Sequence, residues 1–469
     1  MQNGSTLSTT MESGYLHSEE FDDDGRIKRT GSWTNATAHI ITAVIGSGVL
    51  SLAWCFAQLG WLAGSITIVL FSVITLYTSL LLTECYRDPV TGARNYTYMD
   101  AVKSNLGTLQ HKFCSVAQCG VLIGITIGYT TTTAMSMAAV KRSNCFHKYG
   151  HEAACHVPNN PFMVIFAIIQ ILLSQVPNFH KLTPLSVIAA IMSFSYSFIG
   201  IGLSVSKIIG EGIGKTTLTG IPIGKDFTAM EKMWKTLSAL GDFAFSYSFC
   251  FVLIEIQDTL KSSPPENKQM KKATAIGIST SIVFYMMCGM LGYAAFGNEA
   301  PGNFLTGFGF YDPFWLVDLA NICIVVHLLG AYQVLAQPIY GYVESWSKEK
   351  WPQNKLISKE FSLWGYDINM LRFVWRTSYV IVMTIIAMIF PFFNDFVGLL
   401  GACTFWPLSV YFPLEMYISR AKIRKYSFTW IWMQIVSLVC FIVSLVAAIG
   451  STRGLIISVQ LFKPFQSES

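Results

Sequence analysis

The stretch HIITAVIGSGVLSLAWCFAQLGW, residues 39–61, is long and apolar enough to cross a bilayer, yet Gly46, Ser47 and Gly48 stand at its centre. A glycine inside a helix costs about 1 kcal/mol relative to alanine, so a plain membrane anchor gains nothing from two of them. Two interpretations are open. Either the glycines let a second helix approach closely, or the helix is broken and its freed N–H and C=O groups face a cavity where a solute binds.

Composition places the chain in the membrane. Of its 469 residues 52% are hydrophobic and only 13% are charged, against about 25% charged residues in ordinary soluble domains. The net charge of +5 is dispersed and forms no basic stripe, which argues against nucleic-acid binding. The polar segments contain no metal-ligand set, nucleophile triad or phosphate loop, so we do not expect an enzyme.

Eleven apolar segments are long enough to cross the hydrocarbon layer, which predicts an all-α integral membrane protein. Most of the 32 Lys and Arg residues fall in the loops on the side of the N-terminus. By the positive-inside rule the N-terminus is then cytosolic and the C-terminal tail extracellular.

After five spans the chain has crossed to the other face, so a second set of five runs inverted relative to the first. This predicts a 5+5 inverted repeat plus one extra helix. The predicted units are a disordered cytosolic tail (1–31), a first five-helix repeat (32–210), an extracellular loop (211–234), a second repeat (235–417), and the eleventh helix with the C-terminal tail (418–469).

In inverted repeats of this kind the first helix of each half is interrupted, so the sixth span should be broken too. It reads KTLSALGDFAFSYSFCFVLIEIQDTLK, residues 235–261, with Asp242 about two turns inside the membrane. An ionised carboxylate at that depth costs about 2.5 kcal/mol or more. Asp242 is therefore either a local cap for freed N–H groups or a group that binds ligand or protons.

Two histidines lie in spans, His39 near the start of the first and His327 near the centre of the eighth. Each titrates close enough to neutrality to exchange a proton, and each is equally compatible with a neutral imidazole hydrogen-bonded between helices. In the third span, Tyr129 and the threonines at 130–133 either line a cavity or bond back to their own helix.

Cys145 and Cys155 share one polar loop that the predicted orientation places outside the cell. A disulfide is favoured there because the environment is oxidising. The alternative is a zinc site that also uses His147, His151 and His156, although the spacing matches no familiar zinc pattern.

Long blocks of the sequence resemble the plant amino acid permeases, members of the amino acid/auxin permease family, over about residues 30–465. The blocks are HIITAVIGSGVLSLAW (39–54), AQLGW (57–61), YRDPVTGARNYTYMDAV (86–102), NCFHKYGHEAACH (144–156), LGDFAFSYSF (240–249), IEIQDTLKSSPPENKQM (254–270), GYAAFGN (292–298) and VHLLGAYQVLAQPIY (326–340).

The resemblance implies a fold of the leucine-transporter type and import of amino acids driven by protons. Carried onto this sequence, Ile45, Gly46, Ser47 and Gly48 hold the substrate carboxylate. The second break, at Phe243, Ala244, Phe245, Ser246 and Tyr247, receives the amino group and side chain. The chain departs from the usual family pattern at Ser248, where relatives carry proline.

We therefore expect a proton-coupled symporter in the plasma membrane, broad in selectivity for neutral and possibly acidic amino acids, with no cofactor besides the coupling proton. Its partners are free amino acids, protons and the lipid bilayer. The candidate proton carriers, in order of preference, are Asp242, His39 and His327. The alternatives are an importer of auxin or another organic acid, and an amino acid sensor with the same fold; a channel is disfavoured because no polar periodicity lines a pore.

Overall fold

The computed structural model describes residues 22, 24–25, 28–150, 152–175, 183–224, 227–308, 313–354, 360–363, 366–390 and 393–461. Within these residues the chain is helical apart from one short hairpin. The helices of the first half are α1 (Trp33–Val44), α2 (Leu52–Leu82), α3 (Tyr98–Leu106), α4 (Thr108–Tyr149), α5 (Asn160–Ser174) and α6 (Thr183–Glu211).

The described helices of the second half vary widely in length. They are α7 (Ala229–Ser246), α8 (Leu253–Gln257), α9 (Glu266–Phe296), α10 (Phe314–Lys350), α11 (Met370–Ile389), α12 (Phe393–Thr404), α13 (Phe412–Arg420) and α14 (Phe428–Leu461). The hairpin pairs β1 (Glu360–Leu363) with β2 (Tyr366–Asn369) in antiparallel register, a local exception to the all-α prediction.

Nine helical stretches among the described residues are long and apolar enough to cross a membrane, judged by length and composition, and α5 is a shorter apolar helix. One of the nine, Ser47–Cys85, contains Gly60 in the left-handed region (φ 78°), where α2 kinks. The loop residue Gly220 packs against this kink so closely that a methyl group on Gly60 would lie 2.2 Å from its nitrogen. Only glycine fits this position.

The broken segment of the first half lies at the centre of the helix packing. α1 packs against α6 and α9, and α2 packs against α7 and α9. A second group forms around α10, which packs against α4 and α6. The last helix, α14, lies on α7 and α12.

We call the side on which α1 begins the N-terminal face. On this face, Arg29 of the N-terminal tail packs against the helical body, where it is buried and ion-paired. Its Nε lies 2.5 Å from Asp22 Oδ2 and its Nη2 lies 3.0 Å from Glu266 Oε1. Its Nη1 donates to the hydroxyl of Tyr86 (2.9 Å). Arg87 reaches the same oxygen of Glu266 at 2.5 Å, so one buried carboxylate joins the tail to the loop that follows α2.

Candidate functional site

The first helix break lies between α1 and α2. α1 ends at Val44, and Ile45 leaves the helical region with φ −77° and ψ 71°. Gly46 is also outside the helical region, with φ −111° and ψ −145°. Residues Ser47–Ser51 then form a 3₁₀-helix that leads into α2. The membrane segment is therefore broken at Ile45 and Gly46, and the interpretation as a plain packing motif does not hold for this stretch.

Hydroxyl groups from two other helices meet the carbonyl groups that this break frees. The hydroxyl of Tyr196 lies 3.1 Å from both Ile45 O and Gly46 O. Ser193 Oγ lies 2.9 Å from Ile45 O. The Tyr285 hydroxyl contacts Val44 O. The protein itself thus satisfies the acceptors on this side of the break, which a membrane interior requires.

The N–H groups on the other side of the break are in a different situation. Ser47 and Gly48 open the 3₁₀-helix, and the first N–H groups of a helix have no acceptor within it. Gly46, at the N-cap, provides no side-chain hydrogen bond. Together with the positive end of the helix dipole, these N–H groups suit an anionic group such as a carboxylate.

The second break lies after α7. We predicted an opening over Phe243–Tyr247, but α7 remains helical through Ser246 and opens only at Tyr247, whose φ is −106° and ψ is 4°. The helix is prolonged because the N–H of Ser248, absent in a proline, donates to Phe245 O (3.0 Å). Ser248 Oγ also donates to Ala244 O (2.8 Å). A 3₁₀-turn at Cys250–Val252 then leads to α8.

The two breaks touch each other. Ser246 Oγ lies 3.2 Å from Gly48 O and 2.9 Å from Asp242 O. A methyl group on Gly48 would lie 2.7 Å from this oxygen, so glycine is required for the approach. Tyr285 links the two chain ends further, since its hydroxyl contacts Val44 O and lies 2.8 Å from Ser246 O.

The predicted residues of the second break point in different directions. Tyr247 packs edge-on against Tyr285 beside the first break, with ring centroids 5.2 Å apart. Phe243 instead packs edge-on against Phe56 of α2 at 6.1 Å. Phe245 faces α12, where a methyl group on Gly401 would lie 2.7 Å from its Cβ. Of these side chains, Ser246 and Tyr247 lie against the first break.

Two polar groups from other helices face Gly46. A methyl group on this glycine would lie 3.3 Å from the Tyr129 hydroxyl and 3.7 Å from His327 Nε2. The Nδ1 atom of His327 lies 3.0 Å from Ala189 O, so a hydrogen on Nδ1 leaves Nε2 as an acceptor. Among the described residues Nε2 has no hydrogen-bond partner. The buried imidazole is thus positioned to accept a hydrogen bond from a solute at the break.

The threonines that follow Tyr129 bond back to their own helix. The hydroxyls of Thr130, Thr131 and Thr132 donate to the carbonyls of Thr126, Ile127 and Gly128 at 2.8–3.2 Å. Of the two interpretations of this polar run, the local one applies to these three residues, whereas the Tyr129 hydroxyl faces the break and Thr133 Oγ1 has no hydrogen-bond partner among the described residues.

His39 lies on the N-terminal side of the break. It lines a void of about 20 Å³ together with Thr42, Tyr129 and Glu255, which is room for about one water molecule. Glu255 also lines a wider cavity of about 630 Å³ on the N-terminal face. Glu255 therefore lies between the N-terminal face and the small void, and the sequence analysis did not single it out.

Asp242 occupies a third place. Its carboxylate is fully buried, with Oδ2 3.9 Å from the sulfur of Cys55 in α2. Oδ1 has no hydrogen-bond partner among the described residues. It faces α12, where a methyl group on Gly398 would lie 3.1 Å away. The three predicted proton carriers thus lie apart, and only the backbone carbonyl of Asp242, not its carboxylate, is bonded to Ser246 at the contact between the breaks.

Cys145 and Cys155 form a disulfide in the structure. Of the histidines in the zinc alternative, His147 stacks on Phe314 with ring centroids 3.8 Å apart. His151 lies outside the described residues. Within the described part of the chain, no cluster of three His, Cys, Asp or Glu side chains could hold a metal ion.

Comparisons with known proteins show which proteins the chain is similar to. Residues 29–457 match the family described as transmembrane amino acid transporter protein. The chain is 62% identical to amino acid permease 6 of Arabidopsis thaliana over 96% of this chain and 95% of the relative. It is 56% identical to amino acid permease 1 of the same plant, over 98% and 97% of the two chains.

Two solved structures share the fold. MhsT in complex with L-phenylalanine aligns with a TM-score of 0.57 at 10% identity, over 90% of this chain and 99% of that one. A sodium-coupled sialic acid symporter in a substrate-bound outward-open state aligns with a TM-score of 0.52 at 12% identity, over 99% and 97%. These matches confirm the predicted fold of the leucine-transporter type. The count of eleven spans stays a prediction.

Proposed function

Because the chain belongs to the plant amino acid permeases of the transmembrane amino acid transporter family, we propose that it imports amino acids into the cell in symport with protons. Transport of amino acids follows from the family, whose members are transporters rather than enzymes. We propose in addition that protons drive the transport, that the range of substrates is broad, and that the protein lies in the plasma membrane.

One observation carries the substrate site: two helix breaks in direct contact, joined by the 3.2 Å approach of Ser246 Oγ to Gly48 O. Every amino acid shares a carboxylate and an ammonium group. The carboxylate fits the N–H groups of Ser47 and Gly48, and the ammonium group fits the second break and the free Nε2 of His327. Both binding groups of the zwitterion are thus provided within a few ångströms of Gly46.

The side-chain subsite is uncharged and aromatic, since Tyr129 and Tyr247 lie beside the breaks. Such walls accept neutral side chains of different sizes, so we propose broad selectivity for neutral amino acids, extending to acidic ones when their side chain is protonated. The small void lined by His39 and Tyr129 has room for only about one water molecule. The helices must therefore move apart before a substrate enters, as alternating access requires.

Asp242 is the preferred proton carrier. A buried carboxylate without an ionic partner is costly when charged, so binding a proton removes a large penalty. Ser246 Oγ lies within 3.2 Å of both Asp242 O and Gly48 O, which places the carrier one helical turn from the contact between the breaks. Asp242 is thus in the same helix as the second break, one turn before Ser246, and we propose that its protonation is coupled to movement of this helix segment.

We further propose that the N-terminal face is cytosolic and that the protein lies in the plasma membrane. Most Lys and Arg residues fall in loops on that face. The Cys145–Cys155 disulfide lies at the end of α4, away from the N-terminal face, where an oxidising exterior maintains it.

The test is expression in a cell without amino acid uptake of its own, with currents recorded for the twenty amino acids at external pH 5.5 and 7.5. We expect inward current with neutral amino acids that is larger at the lower pH and unchanged when sodium is replaced. Current that needs sodium and ignores pH contradicts proton coupling. A carrier for organic acids would instead respond to indole acetate and not to amino acids.

A further inference from the structure

A second cavity lies on the face opposite the N-terminal face, where α7 begins. It has a volume of about 580 Å³. Its wall includes Ser238 of α7, Asp395 of α12, and Gly450, Gly454 and Ser458 of α14. The eleventh helix of the prediction, α14, thus contributes to this cavity although it lies outside the two repeats.

Asp395 is fixed at the wall of this cavity by α14. Ser458 Oγ donates to its Oδ2 at 2.6 Å. A methyl group on Gly454 would lie 2.3 Å from its Oδ1, so the carboxylate rests directly on the glycine. Asp395 therefore meets the cavity with a defined orientation.

Three buried polar atoms continue from the cavity wall to Asp242. They are Ser238 Oγ, Ser451 Oγ and Asp242 Oδ1, and none has a hydrogen-bond partner among the described residues. Ser238 lies one helical turn before Asp242 on the same face of α7. Buried polar atoms normally have a hydrogen-bond partner, so each of these three atoms is expected to bond to a water molecule or to exchange a proton.

Two of these atoms, Ser451 Oγ and Asp242 Oδ1, approach Gly398, which lies one turn after Asp395 in α12. A methyl group on Gly398 would lie 2.9 Å from Ser451 Oγ and 3.1 Å from Asp242 Oδ1. The absence of a side chain at this residue leaves the space between the serine hydroxyl and the carboxylate open. A larger residue would close it.

The charged groups around this path are few. Glu231, Lys235 and Arg453 line the cavity together with Asp395. Deeper inside, Asp242 faces the thiol of Cys55 from α2 and Gly398 from α12. Asp395 is thus the carboxylate on the cavity wall from which the path to Asp242 begins.

We infer that Asp395 passes protons from this cavity to Asp242, along the serine hydroxyls at Ser238 and Ser451 and the space at Gly398. The inference rests on the proposed role of Asp242 as proton carrier. In the step, the O–H bond of protonated Asp395 breaks and its proton moves through water to Asp242 Oδ1, which becomes a neutral acid. Asp395, left as a carboxylate, takes a new proton from the cavity.

The test compares Asp395→Asn and Gly398→Ala with the unmodified protein, measuring amino acid current against external pH. Asparagine keeps an acceptor for Ser458 but carries no exchangeable acid proton. We expect both variants to need about tenfold more external protons for half-maximal current, a shift of about one pH unit. The KM for the amino acid at saturating acid should change less than twofold, and Asp395→Glu should restore the pH profile.

Two control variants match these changes. Gly202→Ala places a methyl group on a helical glycine of α6 with no atom within 4 Å. Asp318→Asn removes another carboxyl group from the same face, one bonded to Asn144 rather than facing the cavity. Both should keep the unmodified pH profile. Surface labelling of each variant corrects the currents for the amount of protein that reaches the membrane.

The outcomes separate the inference from the proposal on which it rests. If Asp242→Asn keeps the full response to external acid, the proposed carrier is wrong. If Asp242→Asn loses that response while Asp395→Asn and Gly398→Ala keep an unshifted profile at normal surface amounts, the carrier stands and the path through Asp395 is overturned. A shifted pH profile in Asp395→Asn and Gly398→Ala, with unshifted profiles in the controls Gly202→Ala and Asp318→Asn, supports the path.

Discussion

The resemblance implies that relatives carry proline where this chain has Ser248. Its N–H donates to Phe245 O at 3.0 Å and its Oγ donates to Ala244 O at 2.8 Å. These bonds prolong α7 toward the first break and determine where the second break opens. If the substrate binds at the second break as proposed, the carbonyl groups that it meets depend on this residue.

Replacing Ser248 by proline should change selectivity. Proline removes both hydrogen bonds and disfavours the helical region for Tyr247, so the opening should move toward Phe243. We expect the ratio of kcat/KM for a small and an aromatic amino acid to change about tenfold, equivalent to about 1.4 kcal/mol. Ser248→Ala keeps the N–H bond and should change the ratio less. Equal ratios in Ser248→Pro and the unmodified protein would contradict this role.

At the residue scale, the sequence predicts the first break well and its surroundings poorly. Gly46 and Gly48 are visible because two glycines stand at the centre of an apolar run. Tyr196, Ser193 and Tyr285, which satisfy the freed carbonyls, come from distant helices whose contact depends on tertiary packing. A hydroxyl in an apolar span gives no sign of the carbonyl that it meets.

At the scale of elements, the N-terminal segment differs most from its prediction, because Arg29 makes buried ion pairs that its composition did not predict. Its composition is polar and charged, which is typical of disorder. In the structure, the side chain of Arg29 is 3% exposed and pairs with Asp22 and Glu266. Local composition does not show such ion pairs, because the partner carboxylate of Glu266 lies more than 200 residues away in the chain.

Removing the Arg29 side chain should destabilise the N-terminal face. Arg29→Ala leaves two buried carboxylates with fewer positive partners, which costs about 3 kcal/mol. We expect a lower melting temperature in detergent and no change for Lys28→Ala, an exposed neighbour. An Arg29→Ala protein that melts with the unmodified one would show that the segment does not hold this face together.

The pH dependence of this difference has a defined sign. Burial alone raises the pKa of the Asp22 carboxyl, but the hydrogen bonds and charge of Arg29 hold that pKa below its ordinary value of 3.8. A lowered carboxyl pKa contributes stability above the ordinary value, and the contribution is lost as pH falls below it. The gap in melting temperature between the unmodified protein and Arg29→Ala should be constant from pH 8 to 5 and narrow below about pH 4.

The orientation of the whole molecule can be tested through the disulfide. If the N-terminal face is cytosolic, a reductant that does not cross membranes should reduce Cys145–Cys155 on intact cells. A thiol reagent added afterwards should then label the protein, and Cys145→Ser/Cys155→Ser should remove this labelling. The thiols of Cys55, Cys85 and Cys114 are buried, whereas that of Cys403 is exposed, so the measurement is made in a Cys403→Ser background. Labelling that requires permeabilised cells would reverse the proposed orientation.

The number of protons carried in each cycle follows from how the titratable groups are placed in the whole molecule. If Asp242 is the proton carrier and Asp395 supplies it from the cavity, as we propose, one proton should cross with each neutral substrate. One charge per cycle then moves the reversal potential by about 60 mV for a tenfold change in external amino acid, since 1.36 kcal/mol is a factor of ten and 100 mV is about 2.3 kcal/mol per charge.

If His327 or His39 carried a second proton, two charges would move and the shift would be half as large, about 30 mV. The measurement is a series of current–voltage curves for a neutral amino acid at fixed pH on both sides. A 60 mV slope in the unmodified protein and in His327→Gln would show that one charge crosses in each cycle and that His327 does not carry it. A 30 mV slope that returns to 60 mV in His327→Gln would instead assign the second proton to the imidazole at the first break.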